Sequence, residues 1–147
     1  MGTASQPGEG EASQLAPVKP GERVADKYVV EEVLGVGGMG IVVAARDERL
    51  ERRVAIKFLL PRLASAETAV QRFVREARAA SRISSEHVVK MLEIDELPTG
   101  MPYFVMEYLE GSDLRSVLED TEFLPPTQAV DYVLQALQAV AEGHMKG

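Results

Sequence analysis

The chain has 147 residues, enough for one compact domain or one small domain with attached pieces. Its apolar fraction of 46% allows a packed core, and its net charge of −7 argues against nucleic acid as a main partner, because phosphate-backbone binders are usually basic. Cysteine is absent, which excludes a disulfide framework, a thiolate metal site and a cysteine nucleophile.

Residues 1 to 25 are rich in Gly, Pro, Ser, Glu and Ala, with few large apolar side chains, and are expected to be a disordered tail. Tyr28–Leu34 and Ile41–Arg46 are β-branched, apolar runs joined by glycines, the pattern of a β-hairpin. A charged connection leads to a third strand at Val54–Leu60, closed by Pro61. Ser65 is a candidate cap for a helix reaching about Ile83, with Val70, Phe73, Ala77, Ala80 and Ile83 at helical spacing. His87–Leu97 and Met101–Leu109 read as strands around the turn Pro98-Thr99-Gly100. A short helix is expected over Asp113–Glu119. A longer one opens at Pro125-Pro126-Thr127, with Val130, Val133, Leu137 and Val140 on one face. No segment approaches about 18 consecutive apolar residues, and no basic stretch followed by an apolar run opens the chain. A cytoplasmic location is therefore expected, with an anchor beyond residue 147 left open.

Chemistry concentrates in Leu34-Gly35-Val36-Gly37-Gly38-Met39-Gly40-Ile41-Val42 and in Val54-Ala55-Ile56-Lys57. Glycines at 35, 37 and 40 let a backbone approach phosphates closely, adopt torsions that other residues resist, and turn N–H groups toward oxygen. Alone, G-x-G-x-x-G is also compatible with a dinucleotide fingerprint or a plain hairpin turn. A dinucleotide fingerprint must open a helix, however, and Ile41-Val42-Val43 is a strand former. A Walker loop needs Gly-Lys-Ser/Thr, and Lys57 precedes Phe58. Lys57 is either the solvent-facing residue of an alternating strand or a buried-side cation with an anion partner. Glu76, on the following helix, is that candidate partner; its other role would be an exposed helix pair with Arg72. Leu34, Val42, Ala55 and Leu109 could wall a flat purine, and the main chain at Glu107 and Leu109 could read its edge. The same residues would equally serve as plain sheet core.

In order and spacing the chain resembles the eukaryotic-like (Hanks-type) serine/threonine protein kinases, most closely their bacterial branch. The resemblance rests on Gly35–Val42 with its Gly38-Met39 pair, Val54-Ala55-Ile56-Lys57, Arg72-Phe73-x-Arg75-Glu76-Ala77 and Val105-Met106-Glu107-Tyr108-Leu109-Glu110-Gly111. It covers 27 to 147. It implies an α+β fold: a kinase N-lobe of five antiparallel strands and one regulatory helix over 26–110, then two helices of an incomplete C-lobe over 111–147. It further implies that Gly35, Gly37, Gly38 and Gly40 cover the phosphates of ATP, that Lys57 holds the α- and β-phosphates, and that Glu76 holds Lys57. Met106 would stand at the gatekeeper position, with Glu107 to Leu109 as the hinge.

H-R-D-x-x-x-x-N, D-F-G and A-P-E do not occur in the 147 residues. No catalytic base is therefore expected in this chain, and the ligands for Mg²⁺ are expected in the missing part of the C-lobe. His87 and His144 are expected to be structural and not metal ligands. The expected activity belongs to a parent enzyme that transfers the ATP γ-phosphate to serine or threonine hydroxyls of an unknown protein substrate, with kinase dimerisation allowed for. The chain by itself should be inactive. The alternative is a naturally truncated pseudokinase that binds nucleotide or a partner.

Overall fold

The computed structural model describes residues 16–146. The architecture is α+β. Strands β1 (Arg23–Val24), β2 (Tyr28–Val36), β3 (Gly40–Asp47) and β4 (Arg52–Leu59) come first; then helix α1 (Glu67–Ser81), strands β5 (Met91–Glu96) and β6 (Pro102–Glu107), and helices α2 (Leu114–Thr121) and α3 (Pro126–Lys146). All strand pairings are antiparallel, in the order β1-β2-β3-β4-β6-β5.

Six strands replace the five expected. The extra one, Arg23–Val24, pairs with Val29 and Tyr28, inside the segment expected to be tail. Val18 and Val24 from that segment are buried, so the domain begins earlier than its Gly- and Pro-rich composition suggests. The tail expectation for residues 1–15 lies outside the described residues.

The pleat divides the sheet's side chains between two faces. On the inner face, Ile41, Val43 and Ala45 of β3, Val54, Ile56 and Phe58 of β4, and Tyr103 and Val105 of β6 form one cluster with Val24, Tyr28 and Val30. The Phe58 and Tyr103 rings lie 5.6 Å apart. The sheet curls over this cluster. Glu93 of β5, at one end of the strand order, accepts hydrogen bonds from Lys27 Nζ (2.5 Å) and Tyr28 Oη (2.8 Å) at the other. The bond to Glu93 raises the pKa of Lys27, and burial, helped by Glu93, raises that of Tyr28.

On the outer face Leu59 and Phe104 pack against Phe73 and Ala77 of α1, with the Phe73 and Phe104 rings 5.0 Å apart. Burying two phenylalanines contributes about 1.5–3 kcal/mol each, and this contact sets the helix on the sheet. Helix α1 starts at Glu67, with Ala66 at the cap position and no side-chain cap, so Ser65 does not play its expected role. Ile83 lies past the end of the helix.

Helices α2 and α3 contain no buried residue. Asp113 caps α2 by accepting from the N–H groups of Arg115 and Ser116. Along α3 the stripe Val130, Val133, Leu134, Leu137 and Val140 is between 50% and 57% exposed. Among the described residues no helix is long and apolar enough to cross a membrane.

Candidate nucleotide site

The glycine segment is the turn between β2 and β3, closed by a hydrogen bond from the Gly37 N–H to the Gly40 carbonyl (2.8 Å). None of Gly35, Gly37, Gly38 and Gly40 has a left-handed φ, so the expected need for unusual torsions does not hold. Room, not torsion, is what Gly40 supplies. A Cβ there would lie 2.7 Å from the Phe58 carbonyl oxygen and 3.1 Å from Lys57 Cε. The missing side chain is the space through which the Lys57 stem passes. Around Gly35 and Gly38 nothing lies within 4 Å of a Cβ position, which leaves that side of the loop open.

The loop tip is fastened to the segment after β4. The Leu60 N–H donates to the Met39 carbonyl (3.0 Å), and Arg62 Nη2 donates to the Gly38 carbonyl (3.1 Å). The Met39 side chain packs on the cluster of Leu59, Phe73, Ala77 and Phe104.

Lys57 lies opposite Val42 on β3 and Phe104 on β6, on the outer face, and so is not part of the inner core. Its Nζ is 2.5 Å from Glu76 Oε1 on α1. The ammonium also stands 5.4 Å from the Phe104 ring centroid and 5.9 Å from that of Phe73. The Lys57 side chain is 21% exposed and that of Glu76 47%. An ion pair this open contributes at most about 1 kcal/mol to stability. Its geometric effect is larger: it aims a cation along the outer face, beneath the glycine turn.

Ala55 faces Ala44 on one side and Met106 on the other, which extends the outer face toward the end of β6. Met106 packs on the α1 cluster. The Glu107 side chain is turned back to accept from the Lys90 N–H (2.7 Å), and the Glu107 N–H donates to the Lys90 carbonyl (3.0 Å). Leu34 and Leu109 are exposed apolar residues. The fold therefore brings Gly40, Val42, Ala55, Lys57, Glu76 and Met106 onto one face. Phe73, Phe104, Met39 and Arg62 also support that arrangement; Met39 and Phe73 stood in the sequence motifs without a site role, and Phe104 and Arg62 carried no signal beyond ordinary apolar or basic character.

The family model described as the protein kinase domain matches residues 28–147. The chain belongs to the protein kinase domain family. Within it, the chain is similar to bacterial serine/threonine kinases. It is 38% identical over 127 residues to the serine/threonine-protein kinase PknB of Mycobacterium leprae, covering 84% of this chain and 20% of that protein. It is 38% identical over 127 residues to the serine/threonine-protein kinase pkn3 of Myxococcus xanthus, covering 86% and 23%. Among solved structures it superposes on the PknI kinase domain of Mycobacterium tuberculosis with a TM-score of 0.74 at 25% identity, covering 90% of this chain and 54% of that one. The chain thus spans about a fifth of these curated relatives and about half of that kinase domain.

Proposed function

We propose that this chain is the ATP-binding part of a protein serine/threonine kinase. The observation that carries it is the Lys57–Glu76 pair, held at 2.5 Å on the face that also presents Val42, Ala55 and the glycine turn. In this reading the purine lies between Leu34, Val42, Ala55 and Leu109. The Glu107 N–H is committed to Lys90, so the purine edge meets the Glu107 carbonyl and the Leu109 main chain. Gly35, Gly37, Gly38 and Gly40 admit the phosphates, and Lys57 neutralises their charge.

Mg²⁺ would neutralise the β- and γ-phosphate charge. Among the described residues no group of three or more His, Asp or Glu side chains is placed to hold a metal ion. In this reading the metal ligands and the catalytic base belong to the family's D-F-G and H-R-D motifs, which do not occur in the 147 residues, and the chain alone transfers no phosphate.

Titration calorimetry with ATP and adenosine tests the proposal. The wild-type chain should bind both. Lys57→Met should weaken ATP at least about tenfold, or about 1.4 kcal/mol, and leave adenosine unchanged. A wild-type chain that binds neither would overturn it.

A further inference from the structure

Arg53, the second residue of β4, holds together two segments that the sequence keeps far apart. Its Nε donates to Glu31 Oε2 (2.7 Å), its Nη2 donates to Glu32 Oε1 (2.9 Å), and its guanidinium carbon lies 4.1 Å from the centroid of the Tyr108 ring. In a regular strand, neighbours such as Glu31 and Glu32 would point to opposite faces. The register of β2 against β3 shifts between Val30 and Glu32, and this bulge lets both carboxylates reach one guanidinium. Tyr108 lies between Glu107 and Leu109. Strand β2 runs on into Leu34 and Gly35.

As a source of stability this cluster is weak. All three ionic side chains are partly exposed, and such pairs contribute between about zero and 1 kcal/mol. Its value is directional. A guanidinium is a rigid fork that can meet two carboxylates in its plane and an aromatic ring on its face, which a lysine cannot reproduce.

We infer that Arg53 is a positioning residue for the purine: by pinning the Tyr108 ring to the bulge of β2, it fixes the main chain of 107–109 relative to Leu34 and so sets affinity and selectivity for adenine over other bases. The inference rests on the ATP reading above. It concerns the base alone, whereas Lys57 concerns the phosphates.

The test uses the 147-residue chain and four variants: Arg53→Met, Arg53→Lys, the pair Glu31→Gln with Glu32→Gln, and Lys57→Met. Adenosine, guanosine and ATP binding are measured by calorimetry, and folding by thermal melting. Arg53→Met should lower adenosine and ATP affinity by the same factor, about five- to tenfold, and narrow the preference for adenosine over guanosine. The double glutamine variant should move the same quantities part of the way, and Arg53→Lys should recover only a fraction. Lys57→Met should lower ATP alone. Adenosine affinity and selectivity within about twofold of wild type in Arg53→Met, with wild-type binding intact, would overturn the inference and leave the ATP reading standing. An unfolded Arg53→Met shifts the decision to the glutamine pair, whose unchanged selectivity would overturn it equally. Absence of adenosine and ATP binding by the wild-type chain would overturn both.

Discussion

Ile56, Lys57 and Phe58 are consecutive on β4 and belong to different parts of the molecule. Ile56 and Phe58 are fully buried in the inner cluster beneath the curled sheet. Lys57 points to the other face, across from Val42 and Phe104, and meets Glu76. The inner-face positions from Ile41 to Ala45, Val54 to Phe58 and Tyr103 to Val105 are apolar and nearly without exposure, with the acidic Asp47 and Glu93 at the margins, while the outer face mixes glycine, alanine, valine, leucine, phenylalanine and methionine with Lys57. The pleat alone separates the residues that hold the fold from those placed to meet a ligand. Strand order then fixes which residues are neighbours on each face.

The largest expected effect separates neighbours. Phe58→Ala removes a fully buried ring tilted against Tyr103 and should cost about 3–5 kcal/mol. Lys57→Met keeps an unbranched stem that can still lie against Phe104 and loses an open ion pair, so it should cost less than about 1 kcal/mol. Urea denaturation of the two variants measures both. Equal destabilisation would show that the outer face is also structural, and the division between faces would fail.

Gly40 lies on the outer face beside the Lys57 stem, and it sharpens the comparison. In Gly40→Ala the new methyl group would press on the Phe58 carbonyl, a backbone atom fixed in the ladder, and on the Lys57 stem. Overpacking of this kind costs about 1–3 kcal/mol. Gly38→Ala meets nothing within 4 Å and should change stability by less than about 0.5 kcal/mol. Thermal melting of the pair decides. Equal melting temperatures would mean that the loop yields freely and that Gly40 is not a spacer.

Much of this arrangement could be read from residue order. The hairpin, the central strand with its lysine, the helix carrying Glu76 and the final strand into Met106 all show strong local patterns. What escaped depends on register or on very short elements. Arg23–Val24 is too short to show a period and is embedded among glycine, proline and charged residues. The steric role of Gly40 depends on the Phe58 carbonyl, which only the β3–β4 register brings beneath it. The Ser65 cap failed because the chain passes through a 3₁₀ turn at Pro61–Leu63 and then places Ala66 at the cap position. Arg53 meets Tyr108 across strands and Glu31 through a bulge, and no periodicity encodes either contact.

The smallest effect belongs to α2 and α3, which have no buried face to rely on. Since α2 buries no residue, its start depends on Asp113, whose pKa is lowered chiefly by the Ser116 N–H, with the Ser116 hydroxyl and the Arg115 N–H adding to it. A carboxylate with a folded pKa below its ordinary 3.8 stabilises the folded form above that value. The contribution is lost as the pH falls through the lowered folded pKa. Amide exchange at Ser116 should therefore accelerate, relative to amides of β3 and β4, once the pH drops below about 4. Asp113→Asn keeps an acceptor at the cap but removes the titration, so its Ser116 protection should be flat with pH over the same range. If the wild type and Asp113→Asn lost protection in parallel on acidification, the loss would come from elsewhere in the chain. The helices would then be coupled to the sheet more tightly than their exposure suggests.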